Sequence, residues 1–408
     1  LSDSTARVMN GQFGETSDVA PREVSTPATS ERASSRRALP PLSRQTYRRA
    51  LLPELDLSPR RRDLGVVVHL LVHLTLLVGL GITAALHASV WPLWATALLA
   101  LPAGHSVMVA AFAAHELGHG AVRMPRRVRS VLVHLGWTFT IFATATTQNR
   151  AHNQLHHKEE ASRRDPDRRL TRAEILDAGG EHLVPWIFPS SAHPITGAIF
   201  GFATSVFGYH TSLFWHSVLR TGQLYDLGLS APQRRSAILE GASNGAVQLG
   251  LFALSDFSGA MALYLALTYF VGASLAGAYI ATNHLLCGHV EDPRQSDVLA
   301  TTVSLRVPAW LDFLHLRFSH HVEHHLFPGA TASVLPQVRR ALLRQFPERF
   351  VILGWGEALR LLLRSPIAIE SSNTLVHADG TGARRVDFPV FHEGAFRGFE
   401  KHVEEVRS

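Results

Sequence analysis

The chain has 408 residues, 46% of them hydrophobic, with a net charge of +6 and a single cysteine, Cys287. One cysteine excludes an intrachain disulfide and a cysteine-ligated iron–sulfur cluster. The positive charge is almost wholly arginine that flanks apolar runs, which speaks against a nucleic-acid partner and for a lipid bilayer.

Residues 1–62 are rich in Ser, Thr, Pro and Arg. Such a segment buries too little surface to offset its ordering entropy, so it is expected to be disordered. From Leu64 to about Leu86 the chain is almost purely apolar, and roughly 20 such residues span a bilayer. A second apolar run extends from about Val90 to Ala114. The connection His87-Ala88-Ser89 carries no arginine, whereas Arg60, Arg61 and Arg62 precede the first run and Arg123, Arg126 and Arg127 follow the second. That asymmetry predicts a hairpin with both ends cytoplasmic. His69 and His73, inside the first run, are expected to form interhelical hydrogen bonds and not a metal site.

The apolar runs at about 128–147 and 195–219 are predicted to be re-entrant or interfacial helices, because a single crossing would part the histidine clusters. A second hairpin follows, about Ala237–Leu254 and Gly259–Thr282, joined by Ser255-Asp256-Phe257-Ser258 without positive charge. Its first arm carries Glu240, Asn244 and Gln248 on one helical face, which is expected to point into the bundle. Residues 336–346 and 356–364 have the pattern of amphipathic helices. The polar tail from 366 to 408, with Asp387-Phe388-Pro389-Val390-Phe391, is either disordered or a docking arm. The predicted architecture is all-α and membrane-integral: four spans in two hairpins with a cytoplasmic helical cap, in a domain over 63–365.

Three histidine clusters stand out: His115-Glu116-Leu117-Gly118-His119, His152-Asn153-Gln154-Leu155-His156-His157, and His320-His321-Val322-Glu323-His324-His325. In the first two, an i, i+4 pair shares a helical face; in the third, His321, His324 and His325 do. Neutral imidazoles on one face suit a transition metal. Eight histidines, His115, His119, His152, His156, His157, His321, His324 and His325, exceed the needs of one tetrahedral zinc and match two metals.

The clusters and their order resemble the histidine boxes of membrane fatty-acid desaturases. The third runs on as His324-His325-Leu326-Phe327-Pro328, as in the acyl-lipid and front-end types. Asn283-His284 and Asp165-Pro166-Asp167 also look like that family. The resemblance covers roughly residues 63–365. It implies a cytoplasmic non-haem di-iron site, with His284 as a ninth ligand and dioxygen as co-substrate. A fatty acyl lipid, acyl-CoA or acyl-carrier protein would be desaturated. No HPGG haem-binding motif occurs, so the implied electron donor is external, of ferredoxin or cytochrome b5 type.

Membrane hydroxylases and ketolases use related sites, and spacing does not separate oxygen insertion from desaturation; the HHLFP ending favours the latter. HELGH is also a literal HExxH, in which Glu116 would be the general base of a zinc metalloprotease. That alternative leaves the other two clusters unexplained. A membrane metal carrier would place its ligands inside the spans. Glu116, Glu323, Asp165 and Asp167 are candidates to accept the free ring N–H of ligand histidines. The two aspartates could instead pair with Arg163, Arg164, Arg168 and Arg169. His320 could compete with His321, but the family spacing favours His321. His289 and Cys287 have no such support, and Cys287 is expected to be a small buried residue.

Overall fold

A computed structural model describes residues 40–56, 64–88, 90, 92–140, 142–220, 225–292, 294, 296–372 and 374–385. Two long apolar helices open the membrane part, α2 (Gly65–His87) and α3 (Leu93–Gly118), preceded by the short α1 (Arg44–Leu51). After α4 (Arg126–Trp137) and a long helix whose centre is α5 (Phe202–Leu213), two more long helices follow, α6 (Ala231–Leu254) and α7 (Gly259–His284). Among the described residues α2, α3 and α7 are long and apolar enough to cross a membrane. α6 has the length but not the hydropathy, so three of the four expected spans are supported on composition.

The polar stripe that weakens α6 finds its hydrogen-bond partners inside the protein, all but the Asn244 Oδ1. Glu240 accepts from the Thr146 amide and hydroxyl, at 2.9 and 2.8 Å. Asn244 donates to the Trp137 and Ala143 carbonyls, and Gln248 to that of Thr138. One face of α6 thus closes the irregular backbone after α4, as the i, i+4, i+8 spacing predicted. α4 itself has 12 residues, about 18 Å of helix, too short to cross a bilayer.

α3 and α7 meet at glycine. A Cβ on Gly104 would stand 2.5 Å from Val271 Cβ, and one on Gly272 would stand 2.8 Å from the Gly104 carbonyl oxygen. Only small residues permit such backbone approach. From that contact His115 lies eleven residues further along α3 and His284 twelve along α7, about 16–18 Å in each case. Further along, Phe112 and Tyr279 still touch, so the two helices deliver their histidines to one level. In α2, His73 bonds Ser106 of α3 at 3.0 Å as expected. Among the described residues His69 has no hydrogen bond to another helix; its ring bonds the Gly65 carbonyl of its own helix.

The third histidine cluster sits on α9 (His321–Leu326), after the six-residue α8 (Ala309–Leu314) and before α10 (Leu335–Gln345) and α11 (Trp355–Leu363). The last two lie within a residue of their predicted ranges. Strands β1 (Ser304–Arg306) and β2 (Ile352–Gly354) pair in parallel beside α9.

Both polar ends are more ordered than expected where they are described. Within 1–62, residues 43–51 form α1 with its Ser43 cap, and Tyr47 and Leu51 are fully buried against Val322, Leu326 and Val338. Two apolar residues four apart suffice because α9 and α10 supply the rest of that core. Within 366–408, β3 (Ala368–Ser371), β4 (Thr374–Val376) and β5 (Arg384–Arg385) form an antiparallel sheet tied to the Leu170 carbonyl through the Ile369 amide. The expectations for residues 1–39 and 386–408 lie outside the described residues.

Candidate metal centre

The three clusters converge from three scaffolds. His115 and His119 end α3. The second cluster rides on a π-helix, Asn149–His156, launched from a Thr144–Thr147 capping box. A π turn brings residues five apart together, and His152 Nε2 and His157 Nε2 are 3.1 Å apart. α9 supplies the third cluster and is buried along its whole length.

The nine Nε2 atoms fall into two groups. In one, His115 Nε2 lies 2.9 Å from His324 Nε2, and His157 Nε2 lies 3.2 and 3.1 Å from His119 and His152. In the other, His284 Nε2 is 2.7 Å from His321 Nε2, and His325 Nε2 is 3.3 Å from both His321 and His156. His115, His119, His152 and His324 could hold one metal ion, and His156, His284 and His325 another. The pairing within clusters departs from the face argument: His324 parts from His321 and His325, and His156 parts from His152. Sequence neighbours diverge by about 100° around a helix, so His156-His157 and His324-His325 each bridge the two groups.

Two nitrogens bound at right angles to one ion at about 2.1 Å stand about 3 Å apart, which these separations match. Their orientation agrees. His156 Nδ1 donates to Asp165 at 2.8 Å and His152 Nδ1 to Asp167 at 3.1 Å. Their Nε2 atoms therefore face inward, as ligation of a cation requires. Glu160 Oε2 lies 3.2 Å from His325 Nδ1, and Glu116 Oε1 lies 3.4 Å from His324 Nδ1.

Burial and neighbouring imidazoles hold His119, His157, His321 and His325 well below the usual imidazole range, neutral and ready to donate a lone pair. Burial takes His152 down to about 4 against the pull of Asp167. His156 is the exception: burial would lower it, but Asp165 and Asp167 outweigh that and raise it to about 9.

The aspartates are histidine partners and not arginine partners. Asp165 also accepts from the Ala161 and Asp167 amides, and Tyr209 Oη donates to Asp167. The nearby arginines are engaged elsewhere: Arg163 with Glu291, Arg168 with Glu174, and Arg169 with the Pro366 and Leu285 carbonyls. Glu323 does not serve the nine histidines. It accepts from His320, Ser304 and Arg339. Burial would raise its carboxyl, but Arg339 and His320 bring it down to about 2. His320 is thereby kept out of both groups. His289 is buried outside them, and Cys287 is a buried thiol, pushed up by burial. Glu160 escaped the sequence reading, although it follows the second cluster directly in His156-His157-Lys158-Glu159-Glu160.

A cavity of about 370 Å³ with a largely apolar wall, including Val107, Met108, Ala111 and Trp137, reaches His115, His152, His284 and His321. Paired histidine groups at the foot of an apolar chamber, among helices that can cross a membrane, suit a membrane-bound metalloenzyme with a long apolar substrate. The model of the fatty acid desaturase family matches residues 89–355, well over half of the chain. The chain belongs to that family. Membership implies an oxidoreductase and a fatty acyl lipid as its substrate. No curated protein matches the chain.

Proposed function

We propose that the nine histidines hold two iron ions and that the protein introduces a carbon–carbon double bond into a fatty acyl chain, using dioxygen and two electrons from an external ferredoxin- or cytochrome b5-type donor. The observation that carries this reading is the convergence of nine Nε2 atoms as two groups at an apolar cavity. Imidazole suits iron, and bound iron supplies the activation of dioxygen that removal of hydrogen from an unactivated methylene needs. The chain's own residues do the holding and shielding. Asp165 and Asp167 fix the ring planes of His156 and His152. The apolar wall seats the acyl chain and keeps bulk water from the reacting carbon.

The arginines after α3, Arg123, Arg126 and Arg127, support a cytoplasmic centre, since His115 and His119 share that end of the helix. With α6 as a fourth span, its polar face inward, the topology is two hairpins. Expression in a host without desaturases, with gas chromatography of its lipids, tests the reaction. A new unsaturated chain is expected. A hydroxylated chain and no alkene would make the protein a hydroxylase.

Glu116 offers a second test. Its Oε1 lies 3.4 Å from Nδ1 of His324 and 4.0 Å from Nε2 of His115, and the nearer contact suits a carboxylate that orients a ligand. Glu116→Gln is therefore expected to retain product at a rate reduced roughly 10- to 100-fold. Total loss of turnover with zinc still bound would support the hydrolytic alternative.

A further inference from the structure

α1 lies outside the residues that match the family, yet it reaches the metal centre. Its docking is specific. Tyr47 Oη donates to Asp297 at 2.9 Å, the Leu42 amide donates to the same carboxylate at 2.9 Å, and Arg349 pairs with it at 3.1 Å. Tyr47 and Leu51 pack with Val322 and Leu326 of α9, the helix that carries His321, His324 and His325. So anchored, Arg44 brings Nη2 to 3.1 Å from Glu160 Oε2. That oxygen is the one 3.2 Å from His325 Nδ1, while Oε1 accepts from Thr301 at 2.8 Å.

Glu160 is 2% exposed. A carboxylate so buried needs a cation to stay in place, and among the described residues Arg44 is the one arginine or lysine within ion-pair reach of it. We infer that Arg44 is a positioning residue of the metal centre: it holds the Glu160 carboxylate against the His325 ring and so aims His325 Nε2 at its group. Without the guanidinium the carboxylate loses its fixed place beside His325, and the imidazole can turn. The inference rests on reading these histidines as ligands.

The test is iron release from the full-length, iron-loaded protein into a chelator, with the absorption spectrum followed alongside. Arg44→Gln is expected to release about half of the iron roughly 10-fold faster and to change the spectrum. Arg44→Lys, which keeps the charge, should restore most of the retention. The metal-free melting midpoint should hold in both, because Tyr47 and Asp297 keep α1 docked. Release at the wild-type rate from Arg44→Gln would overturn the inference. So would equal rates from the Gln and Lys variants, or a metal-free midpoint that falls in step with iron loss. If Arg44→Gln does not insert, Glu160→Gln carries the test: fast release is expected, and wild-type release overturns. Wild-type protein that takes up no iron would defeat the functional reading itself, an outcome distinct from iron-loaded variants that behave alike.

Discussion

His284→Ala is expected to abolish double-bond formation and to lower bound iron, while His289→Ala, five residues on, leaves both within about threefold. His284 Nε2 lies 2.7 Å from His321 Nε2 and belongs with His156 and His325 in a group that could hold a metal. His289 is buried but belongs to none of the groups that could hold a metal. Losing a residue that merely orients a ligand typically costs about 10- to 100-fold, so removing a ligand should exceed that. Product from metal analysis and lipid chromatography on inserted protein checks both variants. An active, iron-replete His284→Ala would remove it from the set.

Asp165→Asn is expected to weaken metal binding by roughly 10- to 100-fold, with a distinctive pH dependence. In the wild type Asp165 and Asp167 hold a proton on His156 up to about pH 9, and a metal must displace that proton to bind. Wild-type affinity should therefore climb as pH rises toward 9 and level off above it. The asparagine removes one of the two charges that hold the proton, so competition from it weakens at neutral pH. The deficit of the variant is then largest near pH 9 and smaller near pH 7. Competition titrations with a chelator across that range measure it. A deficit constant with pH would show that Asp165 acts only through geometry.

Much of the centre was legible because helical spacing constrains it strongly. Spacing and chemistry suggested that the three clusters would gather, that Asp165 and Asp167 could accept from histidines, and that the stripe Glu240–Asn244–Gln248 would face inward. The sorting of histidines was not legible. It depends on a π-helix at Asn149–His156, which shifts the partner of His152 from His156 to His157. It depends also on the divergence of adjacent residues, which sends His324 and His325 to different groups. Long-range charge was hidden as well. Glu323 looked like a partner for its neighbours until Arg339 and Ser304 came to it from other elements. Arg44 and Glu160 meet across 116 positions from a segment whose composition reads as disordered.

On this proposal nine histidines hold two irons. Elemental analysis of protein purified anaerobically from iron-sufficient cells tests it most directly, with His156→Ala beside the wild type. About two irons per wild-type chain are expected, with a clear deficit in the variant. One zinc per chain and no iron would contradict it.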